Sequence, residues 1–264
     1  MISLRPFPGP LVSVVLTVLV IALVFLFDPR GTWPLGLVNL VAFGLVLSVS
    51  WPFRHREALV STSLPRKFSA TLALGVVLSA WGGGIVLGEL GNLMFRLWPI
   101  PAAWMAVLAR LFDLSSPLKV LIPLMLVAPL TEEGLFRGLM LPALARRHGA
   151  RTAVLWTSLL FALVHLNPWQ GAGALVAGLY LGALRLRTGG VFWPMVAHSL
   201  FNGFPLLLSL AGFVVTGYNT PPSSATGDPM PVVLLLPAAV ALGVGLVLSF
   251  RGCFASNLSD RMEE

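Results

Sequence analysis

The sequence predicts an all-α, polytopic membrane protein with about eight transmembrane helices. Hydrophobic residues make up 57% of the 264 positions and charged residues only 10%, whereas soluble domains carry about 25% charged residues. Apolar runs of about 20 residues, the length that a helix needs to cross a bilayer, recur along the whole chain. Most basic residues lie between these runs. Together these observations exclude an ordinary soluble domain.

The apolar runs divide the chain into eight predicted spans. They cover residues 10–27, 33–53, 68–90, 118–147, 151–166, 169–186, 191–213 and 232–250. The first run lacks a small-residue cleavage site after it, so we interpret it as a retained span and not as a signal peptide. The fourth run would be about 45 Å long at 1.5 Å per residue. It must therefore tilt, project from the membrane, or break near Pro123, Pro129 or Pro142.

Four further segments have their own predicted roles. The glycines of residues 82–84 allow a kink or close approach by another helix, and Glu89 is interpreted as an interfacial carboxylate. Residues 91–117 mix tryptophan and leucine with charged side chains, which predicts an amphipathic interfacial helix or a lid. Residues 216–231 are predicted to form an external loop, and residues 251–264 a polar, disordered tail.

The distribution of basic residues predicts the orientation. The loops after the second, fourth and sixth spans and both ends of the chain carry most of the Lys and Arg residues, whereas the opposite side has Arg30, Arg96, Arg110 and Lys119. By the positive-inside rule both termini are cytoplasmic. Arginine greatly outnumbers lysine, which is typical of a GC-rich bacterium. We therefore expect an integral protein of the bacterial inner membrane, with the lipid bilayer as its surroundings.

The net charge and the cysteine content exclude two other classes. The formal net charge is +7, but the basic residues are scattered between apolar runs, so topology explains them better than binding of nucleic acid does. A single cysteine, Cys253, excludes an intramolecular disulfide framework and a cysteine-based metal site.

A cluster of ionisable residues interrupts the fourth predicted span. Charged side chains at membrane depth are costly, and by default they indicate a functional site. Glu133 and Arg137 are four residues apart and share a helix face, where they can neutralise each other. Glu132 points about 100° away from that pair. It is predicted to face a cavity and to act as a general acid or base.

Two later helices carry the predicted partners of Glu132. The pairs Phe161/His165 and His198/Asn202 are each four residues apart, so each pair lies on one side of its helix. Glu132 and His165 would lie about 20 Å from the cytoplasmic helix ends, and the His198/Asn202 pair about 12–18 Å. Each residue alone has an ordinary explanation as a packing or interhelical hydrogen-bonding group. Their shared depth favours one enclosed, hydrated site.

This set of residues suits hydrolysis of a peptide bond. A glutamate can take a proton from water while a neutral histidine orients that water, and a second histidine with an amide can donate to an oxyanion. Ser199 has no Asp/His relay, which disfavours a serine mechanism. Zinc held by Glu132, His165 and His198 is an alternative, although the His-Glu-x-x-His motif is absent.

Two non-enzymatic classes remain as alternatives to hydrolysis. A transporter or channel could use the same residues to relay protons or to bind an ion, but the chain shows no repeated halves and no matched pair of broken helices. A membrane scaffold or immunity protein could carry the motifs without turnover. The complete set of motif residues argues against that interpretation.

At these residues the sequence resembles the CPBP family, which comprises CAAX proteases and bacteriocin-processing enzymes and includes type II CAAX prenyl endopeptidases of the Rce-one kind. Three motifs in the family's order carry the resemblance: Glu132-Glu133-x-x-x-Arg137, Phe161-x-x-x-His165 and His198-x-x-x-Asn202. It implies a catalytic core at about residues 118–213 with the all-helical family fold. Residues 1–117 would then contribute the N-terminal spans and the interfacial helix, and residues 214–264 the external loop, the last span and the cytoplasmic tail.

The resemblance also implies an activity and residue roles. The chain would be an intramembrane endopeptidase in which Glu132 is the general base and His165 helps to activate water. His198 and Asn202 would stabilise the oxyanion. The family has been described as metalloproteases, yet the same residues support a metal-free mechanism, which we favour.

The remaining motif residues are expected to support the catalytic ones. The resemblance implies that Glu133 and Arg137 hold the first motif in place, and Phe161 is expected to support the second. No cofactor is expected, with zinc as the alternative. The expected substrate is a membrane-embedded or membrane-associated protein or peptide, and prenylated substrates do not follow from the match if the source is bacterial.

Overall fold

The computed structural model describes residues 7–27, 35–53, 69–111, 113–223 and 227–261. Helices account for 82% of the structure, and the described ranges contain no strand. The predicted all-α class is confirmed. In chain order the α-helices are α1 (Pro10–Phe27), α2 (Leu35–Ser50), α3 (Ala70–Leu97), α4 (Ala102–Leu111), α5 (Pro117–Ile122), α6 (Ala128–Glu133), α7 (Leu141–His148), α8 (Ala150–Leu163), α9 (Pro168–Thr188), α10 (Phe192–Leu210) and α11 (Val232–Arg261).

The helices are those of a membrane protein. Within the described ranges, three helices are long and apolar enough to cross a membrane, namely α1, α3 and the Val232–Arg251 part of α11. Shorter apolar stretches lie at Leu37–Ser50 and Ala150–Leu163. The predicted count of eight spans is not confirmed. That count rests on the apolar runs alone, and several of the observed helices are shorter than a bilayer crossing requires.

Two helix boundaries differ from the prediction. Helix α3 continues to Leu97 and ends just before Pro99 and Pro101, where proline rings disfavour further helix. The interfacial helix expected across residues 91–117 is therefore confined to α4. The expectation of a disordered tail from residue 251 is wrong, because α11 continues to Arg261 and no proline interrupts that stretch.

The chain forms two compact units. The first comprises Met1–Arg66, Leu126–Leu166 and Ala174–Met195, and the second comprises Lys67–Met125, Asn167–Gly173 and Val196–Glu264. Both units are assembled from separated parts of the sequence. The three-segment division proposed above stays a prediction.

In the first unit, an aromatic core encloses the residues that follow Glu132 and Glu133, the two glutamates of the acidic motif. The ring of Phe136 packs edge-on against Phe43 of α2, with ring centroids 6.5 Å apart. It packs in the same way against Phe161 of α8 at 5.6 Å. Edge-to-face packing is a favoured geometry for aromatic rings. Residues 135–141 are buried in this core, so Arg137, the ionisable residue among them, is surrounded by protein.

Small residues bring α3 and α11 together in the second unit. A side-chain carbon at Gly82 would collide with the backbone carbonyl of Ala238, and one at Gly245 would collide with the backbone nitrogen of Ser79. Such contacts are possible only where the backbones of two helices approach closely. The prediction that the 82–84 glycines permit close approach is confirmed at Gly82.

Glu89 connects α3 to the loop between α10 and α11. Its Oε2 atom accepts hydrogen bonds from the Met230 backbone N–H at 2.9 Å and from Asn92 Nδ2 at 3.1 Å. Asn92 Nδ2 also lies 2.9 Å from the carbonyl oxygen of Gly217. Glu89 is therefore a tether for the predicted external loop, and not simply an interfacial carboxylate.

Candidate active site

The acidic motif lies in a helical segment whose register changes twice. Residues 117–148 are helical throughout, but Pro123–Val127 and Gly134–Met140 form π turns on either side of α6. Proline cannot donate a backbone hydrogen bond, so prolines in this segment favour such irregular turns. The expected break is thus a change of helix type. Turns of this kind are rare and are frequently found at functional sites.

Both motif carboxylates lie inside the protein. Glu132 is 8% exposed and Glu133 is fully buried. On the same helix the Thr131 hydroxyl donates to the carbonyl of Val127 at 2.8 Å. An ionised carboxylate is costly to bury unless charges or hydrogen bonds compensate it. The surroundings of these two glutamates must therefore supply compensation.

Arg137 compensates Glu133. Its Nη1 atom donates to Glu133 Oε1 at 2.9 Å, and both side chains are fully buried. Its Nη2 atom donates to the carbonyl of Gly178 in α9 at 3.2 Å. The guanidinium carbon lies 4.4 Å from the centroid of the Phe161 ring, within the range of a cation–π interaction. The predicted ion pair is present, and Arg137 also links the motif to α8 and α9.

His165 lies beyond the end of α8. The predicted helix over residues 151–166 ends at Leu163, and the His165 ring packs edge-on against Phe161 with centroids 5.2 Å apart. Its Nδ1 atom is 2.9 Å from the carbonyl oxygen of Phe161. A carbonyl can only accept, so Nδ1 carries the hydrogen and Nε2 is the basic nitrogen of the neutral ring. This tautomer suits a histidine that accepts a hydrogen bond from water.

The backbone turns sharply immediately after His165. Leu166 has a φ of 57°, a left-handed conformation that is uncommon for a residue other than glycine. Asn167 precedes Pro168, and a proline disfavours helical geometry at the residue before it. Backbone strain of this kind clusters at functional sites. The turn ends the helix early and fixes the position of His165.

The third motif lies on α10 in the second unit. His198 is buried, with 6% of its surface exposed. Asn202 Nδ2 donates to the carbonyl of Leu124 at 2.9 Å, and the Ser199 hydroxyl donates to the carbonyl of Met125 at 2.6 Å. A primary amide has two N–H groups, so Asn202 can hold Leu124 and offer a second hydrogen to a ligand. Ser199 serves as a hydrogen-bond donor to a neighbouring helix, as its ordinary interpretation predicts.

The structure groups the predicted residues within each unit. In the first unit, Glu133, Arg137, Phe161 and His165 form one continuous set of contacts, and Glu132 lies beside Glu133 on α6. The second unit contains the third motif. Convergence of the two groups on one water stays a prediction. In the part of the chain that the structure describes, no group of three or more His, Cys, Asp or Glu side chains is placed to hold a metal ion.

Sequence reasoning missed two contacts of Arg137. Gly178 supplies a carbonyl acceptor for its side chain, and Arg185, which lies at the cytoplasmic end of the sixth predicted span, is only 6% exposed. Arg185 Nε donates to the Arg137 carbonyl at 3.1 Å. One sequence signal could have indicated such donors. Pro129 and Pro142 lie within the motif helix, and each leaves a backbone carbonyl that needs a donor from elsewhere.

Fold and site together define a class of protein: a helical membrane protein that buries an acid–base set beside a π-distorted helix. Residues 114–204 match the family model described as "Type II CAAX prenyl endopeptidase Rce1-like". This range contains all three motifs. The resemblance predicted from them is confirmed over that range.

Two curated proteins are similar to part of the chain. CAAX prenyl protease 2 of Homo sapiens is 32% identical over 144 residues, which cover 46% of this chain and 39% of the human protein. A protein of Escherichia coli described as "Uncharacterized 24.3 kDa protein" is 35% identical over 100 residues, or 34% of this chain and 46% of that protein. The chain thus matches less than half the length of either relative. No solved structure matches it.

Proposed function

We propose that the chain is an intramembrane endopeptidase that hydrolyses a peptide bond in a membrane-associated protein or peptide. One observation carries the proposal: Glu132 is a buried carboxylate beside an internally paired Glu133, within the residues that match an endopeptidase family. The human relative is named as a protease, which supports the same reaction class.

The two glutamates have different proposed roles, Glu133 a structural one and Glu132 a chemical one. Glu133 is neutralised by Arg137 at 2.9 Å, so it stabilises the motif and does not handle protons. Glu132 lies on a different side of the same helix, and we assign the proton transfer to it. Adjacent carboxylates in different environments commonly take different roles in one site.

In the proposed reaction, Glu132 accepts a proton from a water that His165 Nε2 helps to orient. The water oxygen bonds to the carbonyl carbon of the substrate, and the resulting oxyanion accepts hydrogen bonds from His198 and from the second amide N–H of Asn202. The protonated Glu132 then gives its proton to the leaving nitrogen as the C–N bond breaks. The products are a carboxylate and an amine.

A zinc-dependent reaction at the same residues is the second candidate. The ring of His165 donates from Nδ1 to a backbone carbonyl, which is the arrangement often seen when Nε2 binds a metal. Glu132 and His198 would complete the ligands. The described residues offer no assembled three-ligand group. The reaction written above is the metal-free alternative.

The proposal can be tested with purified protein in liposomes. The probe is a library of single-span reporter proteins that vary around the cytoplasmic end of the span, with products identified by mass spectrometry. We expect Glu132→Gln to lower cleavage at least about 100-fold, since a general base contributes roughly 10² to 10⁴. His165→Ala and His198→Ala should also lower it strongly. Full cleavage by Glu132→Gln refutes the assignment of the base.

A chelator arm separates the two chemical mechanisms. We expect unchanged cleavage after treatment with a strong zinc chelator. Loss of cleavage that added zinc restores would instead establish the zinc-dependent reaction. Absence of cleavage of every reporter by the wild-type protein would favour a transporter or a scaffold.

We further propose that cleavage occurs in the cytoplasmic half of a bacterial inner membrane, with both termini cytoplasmic. The proposal rests on the basic loops, of which residues 54–67 lie outside the described ranges. Reporters with one cleavable sequence placed at successive depths test it. Efficient cleavage at the external face alone would contradict it.

A further inference from the structure

The second π turn leaves the backbone carbonyl of Arg137 without the donor that its register would supply. In a π turn the N–H of residue i+5 donates to the carbonyl of residue i. The Leu141 N–H follows this rule and donates to the carbonyl of Phe136. The next position is Pro142, which has no N–H. A buried carbonyl needs a partner, so the Arg137 carbonyl requires a donor from another helix.

Arg185 of α9 supplies that donor. Its Nε atom lies 3.1 Å from the Arg137 carbonyl oxygen, and its side chain is buried. In the opposite direction, Arg137 Nη2 donates at 3.2 Å to the carbonyl of Gly178, about two turns earlier on α9. The two arginines therefore bind each other's helices reciprocally. Arg137 thus binds Glu133 through its side chain and Arg185 through its backbone carbonyl.

Charge balance gives an independent reason for Arg185. Among the described residues, four Asp, Glu, Lys or Arg residues are classed as buried: Glu132, Glu133, Arg137 and Arg185. All four belong to the first unit, and their formal charges sum to zero. Arg137 compensates one carboxylate directly. Arg185 brings the formal charge of this buried set to zero, and a net charge inside a protein is unfavourable.

We propose that Arg185 is a positioning residue for the acidic motif. It bonds the carbonyl that Pro142 leaves open and fixes the second π turn against α9. The role in catalysis rests on the proposed function, whereas the role in holding the π turn does not. Glu132 lies two positions before the second π turn begins at Gly134, so this backbone holds it in place.

The first experiment compares Arg185→Gln with Arg187→Gln. Arg187 is on the same helix but exposed, so it is a matched control. In the cleavage assay we expect Arg185→Gln to lower kcat at least about tenfold with KM within about twofold, the pattern for a lost interaction that acts on the chemical step. Arg185→Lys keeps the charge and an N–H donor and should recover most of kcat. Unchanged kcat of the folded Arg185→Gln protein overturns the proposal.

A second readout needs no substrate. Hydrogen–deuterium exchange of residues 134–141 should accelerate at least about tenfold in Arg185→Gln and stay within about twofold of wild type in Arg187→Gln, because weaker local structure opens more often. Faster exchange in a protein that cleaves no reporter would support the structural part while the proposed function fails. Unchanged exchange in Arg185→Gln overturns the structural part.

A double variant identifies the hydrogen bond itself. Pro142→Ala restores an N–H that can reach the Arg137 carbonyl in the π register. Added to Arg185→Gln, it should return the exchange of residues 134–141 at least halfway to the wild-type rate. No recovery in the double variant would contradict the assignment of Arg185 to this carbonyl.

Discussion

Two Glu–Arg pairs in this protein have nearly the same geometry and very different surroundings. Arg137 and Glu133 meet at 2.9 Å with both side chains fully buried, whereas Arg96 and Glu89 meet at 2.7 Å with side chains 38% and 22% exposed. The first pair lies in the aromatic core beside α6. The second lies near the end of α3, where Glu89 also holds the loop before α11.

Burial makes the difference between these pairs. In a low-dielectric interior each charge depends on its partner, because water is absent and desolvation has already occurred. Near the surface, water and ions screen the attraction, so a similar contact contributes little. A short distance between charges is therefore no measure of importance. The buried pair constrains a helix that carries the proposed chemistry, and the other anchors a loop.

The largest expected effect follows from breaking the buried pair. Glu133→Gln leaves Arg137 as a buried charge without its carboxylate, which should lower the free energy of unfolding by roughly 3–5 kcal/mol. Thermal unfolding in detergent measures this loss. The double variant Glu133→Leu/Arg137→Met should recover a substantial part of it. A double variant no more stable than the single one would show that the ion pair is not the cause.

A smaller effect is expected from added volume near the buried arginine. A side-chain carbon at Gly178 would lie 3.0 Å from Ser158 Cβ and 3.2 Å from Arg137 Nη2. Overpacking should make Gly178→Ala about 1–3 kcal/mol less stable. Gly91→Ala on α3 is the control, because its nearest atom would be 3.7 Å away. Equal stability of the two variants would mean that the buried region tolerates volume as well as α3 does.

The partly exposed Arg96–Glu89 pair should contribute less to stability than the buried Arg137–Glu133 pair. Arg96→Ala is expected to lower the free energy of unfolding by at most about 1 kcal/mol. The expected cost is small because Glu89 keeps its bonds from Asn92 and Met230. High salt should reduce the difference between the variant and the wild type further. A loss as large as that of Glu133→Gln would remove the distinction between the two regions.

The smallest effect concerns pH and the loop tied to Glu89. The Ser223 hydroxyl and backbone N–H donate to Asp228 at 2.6 and 2.8 Å and hold the pKa of that carboxyl below its ordinary value of 3.8. A lowered folded-state pKa means that the contribution to stability is present above the ordinary value and is lost as pH falls through the folded value. The protection of residues 216–223 against hydrogen exchange, expressed relative to the intrinsic exchange rate at each pH, should fall in acid in the wild type. Asp228→Asn should show a weaker pH dependence, which leaves only the part due to Glu89 and its bond from Met230.

Local spacing predicted the local contacts well. The Glu133–Arg137 pair and the Phe161–His165 contact both follow from positions four residues apart on a helix, and both are present. The close approach at Gly82 is also a property of residue size. These features depend on a few neighbouring residues, so a single sequence reveals them.

The same reasoning could not predict contacts between residues that are distant in the sequence. From the sequence, Arg185 was simply a basic residue at the cytoplasmic end of a span. Its acceptor, the Arg137 carbonyl, is available only because of the π turn and Pro142. Glu89 looked interfacial because its partner Met230 is distant in the sequence. Such contacts depend on how helices pack, which periodicity does not determine. Prolines inside a helix offer the one sequence signal that a side chain elsewhere must donate.

The most direct test compares the two glutamates that the account separates. Initial rates of reporter cleavage are measured for Glu132→Gln and Glu89→Gln, both confirmed as folded by thermal unfolding. We predict a loss of at least about 100-fold for Glu132→Gln and a rate within about twofold of wild type for Glu89→Gln. Equal rates for the two variants would contradict the claim that the buried glutamate performs the chemistry.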